Sequence, residues 1–269
     1  MIKQTFGITK IPFLQSDLNL LPHQQEIVDI LHIQSQHGGF CVITGEAGVG
    51  KTTIKKHLES KAHDKDHLLV SFSRTMDTYN KILLQIAESL ELETKEKKLE
   101  STIIQVVHDS ARSNKTLITV IDEAHLLGPE PLRRLRLLFD RFPRRHNLIL
   151  FGQSELMLRL TMKNYSDIKS RITYSKSLQR LSEEDTMVFI QKEIEACRLP
   201  KQTFDDAALD LILRNSQGNL RLCANLCYGS LIEACRLGQR NVDHRHVNAV
   251  LIQPHWKHHE DLLTGESST

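Results

Sequence analysis

The chain has 269 residues, of which 40% are hydrophobic and 25% are charged, and its formal net charge is +2 with neutral histidines. This is the composition of a soluble globular protein with one large or two smaller domains, and the small net charge argues neither for nor against a polyanionic partner. No signal peptide opens the chain and no stretch approaches the roughly 18 apolar residues of a membrane-spanning helix, so we expect a cytoplasmic location and no membrane partner.

The first part of the chain, residues 1–39, contains one clear helical pattern. Over residues 22–36, Ile27, Ile30 and Leu31 recur on one helical face, which predicts an amphipathic helix. An apolar run at residues 40–43 predicts a buried strand directly afterwards. We expect the segment 1–39 to pack beside the loop that follows this strand.

A glycine-rich loop follows the predicted strand. Residues 45–52 read Gly-Glu-Ala-Gly-Val-Gly-Lys-Thr and match the pattern Gly-x-x-x-x-Gly-Lys-Ser/Thr at every fixed position. Backbone N–H groups of such a loop surround phosphate oxygens, while Lys51 reaches the outer phosphates and the Thr52 hydroxyl can ligate Mg²⁺. ATP and Mg²⁺ are therefore the predicted cofactors, and the segment 1–39 is expected to pack near the nucleotide. The predicted nucleotide-binding residues of the loop are Gly45, Glu46, Ala47, Gly48, Val49, Gly50, Lys51, Thr52 and Thr53.

Strand and helix patterns alternate beyond the loop. A helix begins at Thr52, so its N-terminal N–H groups and dipole face the same anion. The next predicted elements are a strand over 68–72, a helix over 75–90, a charged solvated loop over 91–98, a helix over 101–111 and a strand over 117–121.

Two adjacent carboxylates, Asp122 and Glu123, follow the strand over 117–121. Asp122 is predicted to hold Mg²⁺ together with Thr52, and Glu123 to orient and deprotonate the water that attacks the γ-phosphate. Neighbouring residues on a strand point to opposite sides, so we assign the two carboxylates different roles.

The remaining patterns divide the chain into a mixed part and a helical part. A helix over 131–142 and strands over 148–151 and 172–175 complete a predicted parallel α/β sheet within residues 40–180. Helices over 183–197, 205–214, 220–237 and 243–252 then predict a small all-helical lid domain over 181–253, and residues 254–269 a mobile tail. The five cysteines are predicted to be buried reduced thiols.

These motifs together resemble the AAA+ ATPases, a family of P-loop NTPases with a helical lid. The resemblance implies that Gln153, just after the fourth strand, is the sensor 1 residue that positions the attacking water. It also implies that Arg221, in the lid sequence Gly-Asn-Leu-Arg, is the sensor 2 arginine that reaches the γ-phosphate. Both residues join Lys51 and Glu123 as predicted catalytic residues.

Within that family the chain is similar to the group of ExeA-type secretion ATPases and TniB- and TnsC-type transposition ATPases. The similarity rests on the sequences Phe-Gly-Ile at 6–8, Pro-Phe at 12–13, Thr-Gly-Glu at 44–46, Asp-Glu-Ala-His at 122–125 and Phe-Gly-Gln-Ser-Glu-Leu at 151–156. A membrane segment and a periplasmic domain, which the secretion type is expected to carry, are absent from the sequence, so we favour the transposition type.

Arginines supply the candidate contacts to partners. The resemblance implies that Arg171 is an arginine finger for the ATP of a neighbouring subunit, with Arg144 and Arg145 as alternatives. Six arginines lie between positions 133 and 145 against one acid, Asp140, which indicates either a solvated helix face or a surface for another subunit or DNA. The resemblance implies that basic residues after the second strand, Arg74 and Lys81, face the central channel of an assembly and contact the DNA backbone. The basic residues of the loop 95–98 are another option.

The resulting hypothesis is an ATP-dependent transposition regulator that forms a ring or a helical filament on double-stranded DNA and delivers or activates a transposase or integrase. Two alternatives stay open. One is a secretion-assembly ATPase of the ExeA type, and the other is a nucleotide-switched interaction module with little hydrolysis.

Overall fold

The computed structural model of the protein describes residues 2–14, 20–61, 67–72, 78–92 and 98–256. The chain divides into two compact units. One is the continuous segment Leu20–Gln179, and the other joins the residues before it to those after it. The N-terminal segment 1–39, treated as one piece in the sequence analysis, is thus divided between the two units.

The helices of the described residues account for most of the chain outside the sheet. In chain order they are α1 (Ile2–Phe6), α2 (Pro22–His37), α3 (Lys51–Lys61), α4 (Tyr79–Ser89), α5 (Leu99–Arg112), α6 (Pro129–Asp140), α7 (Ser154–Leu160), α8 (Ser166–Lys169), α9 (Glu183–Ala196), α10 (Asp206–Ser216), α11 (Leu220–Arg236) and α12 (His244–Leu251). Short 3-10 helices lie at Ala124–Leu126, Lys163–Tyr165 and Pro254–Trp256.

Five parallel strands form the sheet of the continuous unit. They are β1 (Gly39–Gly45), β2 (His67–Phe72), β3 (Thr116–Ile121), β4 (Asn147–Gly152) and β5 (Tyr174–Leu178), in the spatial order β2-β3-β4-β1-β5. Thr44 of β1 pairs with Gly152 of β4, and Leu150 of β4 pairs with Ile121 of β3. The carboxyl ends of the three central strands therefore lie together at one edge of the sheet.

Alternate residues of the central strands face two separate hydrophobic cores. On β1, Phe40 and Val42 join the core that includes helices α4, α5 and α6, whereas Cys41 and Ile43 join the core that includes α2 and α3. Successive side chains of a strand point to opposite faces, so a strand covered on both faces must be apolar throughout. This is why β1, β3 and β4 could be predicted from their sequences.

The second unit is helical and has its own core. Helices α9, α10, α11 and α12 begin after the capping side chains of Ser182, Asp205, Asn219 and Asp243, each of which accepts a backbone N–H bond. Phe13 packs edge-on against Phe189 and Phe204, and its backbone N–H donates to Glu193 Oε2 over 3.0 Å. Residues near the start of the chain are thus part of the core of this helical unit.

The predicted fold class, a parallel α/β sheet followed by a helical region, is confirmed. The fifth strand runs over Tyr174–Leu178, whereas the sequence predicted 172–175. The predicted bounds were wrong because β5 is an edge strand, and its exposed residues Ser175, Lys176 and Ser177 give no apolar pattern. The short helices α7 and α8 were not predicted. Helix α4 is described from Tyr79, and residues 75–77 of the helix predicted over 75–90 lie outside the described residues.

Further expectations concern the cysteines and the membrane. All five cysteines fall in the described part of the chain, and each is buried with a free thiol. Among the described residues, no helix has the length and apolarity that a bilayer crossing requires.

Candidate functional site

The candidate site lies at the edge where β1, β3 and β4 end. The glycine-rich loop leaves β1 at Gly45 and turns directly into α3. Gly48 and Gly50 have φ angles of 86° and 101°, a backbone region that glycine enters without the steric cost of a Cβ atom. The loop therefore adopts its tight turn because glycines occupy these two positions of the sequence.

Lys51 is the first residue of α3 and is held inside this loop. Its ammonium donates to the carbonyl oxygens of Gly45 and Glu46, each over 2.7 Å, and the residue is only 6% exposed. The positive charge is thus positioned within the turn that the sequence assigns to phosphate. Thr52, the next residue, is exposed at the N-terminal end of α3, where backbone N–H groups and the helix dipole favour an anion.

Asp122 and Glu123 follow directly on β3, which ends at Ile121. The Asp122 N–H donates to the Phe72 carbonyl over 3.0 Å, and Asp122 Oδ1 accepts the Glu123 N–H over 2.9 Å. Glu123 has a left-handed backbone with φ 53°. Both residues therefore lie in a turn beyond the strand, so the strand alternation assumed from the sequence does not apply to them.

His125 connects the Glu123 turn to the end of β4. It is buried, and its Nδ1 accepts the Gln153 backbone N–H over 3.4 Å and lies 3.6 Å from Glu123 Oε2. The Arg159 guanidinium donates to the carbonyl oxygens of His125 and Leu127, which fixes the segment that carries the histidine. In the sequence, His125 is recognisable only as part of the Asp-Glu-Ala-His signature at 122–125, which indicates no role for it.

Lys55 is a second residue of this site that no sequence motif identifies. It lies one turn beyond Lys51 on α3, is 3% exposed, and places its ammonium 3.5 Å from Asp122 Oδ2. The sequence offered a weak signal, since a lysine four positions after Lys51 shares its helical face. That the side chain is buried against Asp122 depends on long-range packing, which the local pattern does not specify.

The donors at this edge fit Mg²⁺. A hydroxyl from Thr52 and a carboxylate from Asp122 are hard oxygen ligands, which Mg²⁺ prefers in company with water and phosphate oxygens. When bound, Mg²⁺ would offset the negative charge of the phosphates. Thr52 and Asp122 are the residues that would hold it. Glu123, whose side chain is 43% exposed, can accept a proton from water.

The two predicted sensor residues lie in different units. Gln153 immediately precedes α7 and is half-buried, at the same sheet edge as the loop and the carboxylates. Arg221 lies in the first turn of α11 in the helical unit, where it is exposed and its backbone N–H donates to Asn219 Oδ1 over 3.1 Å. The role of Arg221 as a sensor stays a prediction.

Arg171 lies just after α8 and lines a cavity with Gly39 at the start of β1, whereas the glycine-rich loop follows the end of that strand. It is exposed, and its Nη2 is 3.5 Å from Asp140 Oδ2. Together with Arg136, Arg144 and Arg145 it lines a cavity of about 340 Å³. Arg144 and Arg145 are both exposed, so these alternatives for the finger share one surface with Arg171.

The other arginines of the cluster 133–145 have partners within the protein. Arg133 binds Asp167 over 3.1 Å, Arg141 binds Glu100 over 2.8 Å, and Arg136 binds Asp140 over 3.0 Å. Arg134 lies over the ring of Tyr79 at 4.1 Å. The count of one acid against six arginines was therefore misleading, because Asp167 and Glu100 are distant in sequence.

The expected DNA contacts are only partly described. Lys81 is exposed in the first turn of α4, where its backbone N–H donates to Thr78 Oγ1 over 3.4 Å. Arg74 and residues 95–97 lie outside the described residues, and Lys98 immediately precedes α5. DNA contact through these residues stays a prediction.

A family model matches part of the unit that contains the sheet. Residues 33–160 match a family model described as "AAA domain". A curated relative, General secretion pathway protein A of Aeromonas hydrophila, is 27% identical over 256 residues, which cover 91% of this chain and 47% of the relative. The chain thus spans about half the length of the curated relative it matches.

Solved structures are similar over most of the chain. The crystal structure of Cdc6p from Pyrobaculum aerophilum has a TM-score of 0.74 at 17% identity, covering 98% of this chain and 74% of that one. The Aeropyrum pernix ORC1 protein in complex with DNA has a TM-score of 0.69 at 17% identity, covering 88% and 67%. At these identities the likeness concerns the fold. The five-stranded parallel sheet with its flanking helices is the P-loop AAA+ fold.

Proposed function

We propose that the chain is a Mg²⁺-dependent ATPase that assembles with further copies of itself when ATP is bound. One observation carries the proposal. The glycine-rich loop, the Asp122-Glu123 turn and Gln153 follow three adjacent strands, β1, β3 and β4, and therefore meet at one edge of the sheet. Parallel α/β sheets bind ligands at the carboxyl ends of their strands.

Each residue at this edge has a task that its chemistry suits. Lys51 and the loop N–H groups bind the phosphates, and Thr52 and Asp122 hold the cation. Glu123 takes the proton of the attacking water, and Gln153 positions that water. Phosphoryl transfer needs little covalent chemistry from the protein, so positioning and charge account for most of the expected rate.

Self-assembly is proposed from the arginine surface. Arg171 is exposed and positively charged. Its contact with Asp140 is long, at 3.5 Å, so the guanidinium can leave this carboxylate and bind a phosphate of the nucleotide in a neighbouring subunit. Arg221 would report the γ-phosphate to the helical unit. A site completed by a second copy explains why exposed arginines would be clustered on one surface.

The assembled protein is proposed to act on double-stranded DNA as a transposition regulator that delivers or activates a transposase or integrase. The motifs at 122–125 and 151–156, which resemble those of TniB- and TnsC-type sequences, support this proposal. The fold of Aeropyrum pernix ORC1, solved in complex with DNA, supports it as well. With a net charge of +2, DNA binding would need several subunits to combine weak phosphate contacts.

A secretion-assembly ATPase is the second candidate, and one specific observation favours it. The relative named General secretion pathway protein A matches 91% of this chain. A nucleotide-switched interaction module is a third candidate, distinguished by turnover: it would bind ATP and hydrolyse it scarcely at all.

Fluorescence anisotropy with labelled duplex DNA tests the leading proposal. Binding is measured across a salt series with ATP, ADP and no nucleotide, for the parent, for Arg171→Ala and for Lys169→Ala as an exposed neighbouring control. We expect the parent and Lys169→Ala to bind only with ATP, with an affinity that falls steeply with salt. Arg171→Ala should lose most of the binding.

Equal affinity in all three nucleotide states, or no binding at low salt, would contradict the DNA proposal and favour the secretion-assembly candidate. Electron microscopy of the same samples, with and without duplex DNA, distinguishes a closed ring from a helical filament.

A further inference from the structure

Lys55 is a buried cation next to the proposed magnesium ligand. Its side chain is 4% exposed, and its ammonium donates to the Phe72 carbonyl over 3.3 Å and lies 3.5 Å from Asp122 Oδ2. A third neighbour, Glu59 Oε1, is 3.8 Å away but belongs to a side chain that is 34% exposed. Because a buried charge needs a partner of opposite sign, Asp122 is the principal counter-ion of Lys55.

The Asp122 carboxylate is held from two sides. Oδ1 accepts the Glu123 N–H over 2.9 Å, and Oδ2 faces the Lys55 ammonium. The side chain is 11% exposed, so little water screens the pair. The Asp122 carboxylate is therefore oriented by the Glu123 N–H and electrostatically neutralised by the Lys55 ammonium.

A divalent cation at Asp122 would lie close to this ammonium. Like charges in a poorly screened site repel, so Lys55 opposes the binding of a cation by Asp122 alone. The phosphates of ATP bring enough negative charge to outweigh the repulsion. The arrangement favours uptake of the cation together with the nucleotide and disfavours uptake of the cation alone.

We propose that Lys55 is a positioning residue of the cation site, which orients Asp122 and suppresses divalent cation binding when no nucleotide is present. The inference rests on the proposed assignment of Asp122 as a Mg²⁺ ligand. It adds a determinant of cation binding outside the glycine-rich loop and the two carboxylates.

Titration with Mn²⁺ alone tests the inference. Free Mn²⁺ is followed by electron paramagnetic resonance in nucleotide-free protein, for the parent, Lys55→Met, Lys55→Arg and Lys56→Met. Lys56 is the matched control, since it is the adjacent lysine of α3 and is exposed. We expect Lys55→Met to bind Mn²⁺ at least about tenfold more tightly than the parent, whereas Lys55→Arg and Lys56→Met behave like the parent.

Equal or weaker Mn²⁺ binding by folded Lys55→Met, or no Mn²⁺ binding by either protein, would overturn the inference. ATP binding by the parent is measured in parallel with a fluorescent analogue. Failure of the parent to bind ATP would overturn the proposed function, whereas intact ATP binding with unchanged Mn²⁺ affinity in Lys55→Met would overturn only the role of Lys55.

Thermal melting of a double-variant cycle covers the case in which Lys55→Met does not fold. Asp122→Asn removes the counter-ion of Lys55. The fall in melting temperature that this substitution causes should therefore be large in the parent and small, or reversed, in the Lys55→Met background. A double variant that melts cooperatively where Lys55→Met alone does not would support the pairing. Additive losses would overturn it.

Discussion

His125 Nδ1 accepts a hydrogen bond from the backbone N–H of Gln153 over 3.4 Å. The same nitrogen lies 3.6 Å from Oε2 of Glu123. As an acceptor for Gln153, Nδ1 carries no proton, whereas an ion pair with Glu123 requires one. A single ring nitrogen is therefore shared between the proposed general base and the segment that carries the proposed water-positioning residue, and it can serve only one of them at a time.

Replacement of His125 should impair turnover more than nucleotide binding. In His125→Phe the acceptor for the Gln153 N–H is lost, so the Glu123 turn and the end of β4 lose a connection. We expect kcat to fall roughly ten- to hundredfold while the Kd for ATP changes little, because misplacement of catalytic groups is costly for the reaction alone. Single-turnover hydrolysis and equilibrium ATP binding measure the two effects separately.

His125→Asn provides the contrast, since its side-chain oxygen can still accept the Gln153 N–H. It should retain more activity than His125→Phe. Equal losses in the two variants would show that the hydrogen bond to Gln153 is unimportant.

Glu123→Gln should bind ATP but hydrolyse it at least about a hundredfold more slowly, because the base is lost while the binding loop is intact. Phosphate release measures hydrolysis, and a fluorescent ATP analogue measures binding. Glu130→Gln, an exposed residue at the start of α6, is the control. Turnover in Glu123→Gln like that of the parent would refute the assignment of the base. Lys51→Ala, in contrast, should weaken the binding of ATP itself.

Arg221→Ala should leave the helical unit folded, since the side chain is exposed and the capping bonds of Asn219 reach backbone N–H groups. It should abolish the difference between the trypsin cleavage patterns obtained with and without ATP. Arg214→Ala, an exposed arginine of α10 in the same unit, should keep that difference. Patterns in Arg221→Ala that still change with ATP as in the parent would exclude Arg221 as the γ-phosphate sensor.

His146 predicts an acid-dependent loss of stability. Desolvation by burial lowers the pKa of His146 from 6.5 to about 4. The imidazole ring packs edge-on against Phe142. Between these two pH values the unfolded chain binds a proton that the folded protein does not, so the free energy of unfolding falls as pH drops from 6.5 towards 4. The loss should amount to about 3 kcal/mol at most.

Urea unfolding at several pH values measures this slope. His146→Phe keeps an aromatic ring at the position and removes the proton, so its stability should depend less on pH over the same range. His32→Gln, an exposed histidine of α2, should retain the slope of the parent. An unchanged slope in His146→Phe would contradict the assignment.

The sequence predicted those parts of the fold that depend on local patterns. Strands β1, β3 and β4 were evident because both faces of each are buried, and the glycine-rich loop was evident from its fixed spacing. The spatial order of the strands was not, because neighbours such as β1 and β4 are far apart in the sequence. Edge strand β5, with exposed Ser175 and Lys176, carried too weak a pattern to place its ends.

The site was predicted to a similar extent. Motif positions identified Lys51, Asp122 and Glu123, but the partners that orient them come from elsewhere. Lys55 faces Asp122 only because α3 packs beside the end of β3. The backbone of Glu123 is left-handed, which could not be predicted from its residue type. Such contacts depend on tertiary packing and become visible only in three dimensions.

The helical unit is assembled from both ends of the described chain, and this has a consequence for biosynthesis. Phe13 and Glu193, which share a hydrogen bond, are 180 positions apart in the chain. During translation Phe13 emerges long before its partner exists, while Leu20–Gln179 is continuous and can fold as soon as it has left the ribosome. The aromatic side chain of Phe13 therefore lacks the residues that bury it until the whole sheet unit has been synthesised. A chaperone could bind it during this period.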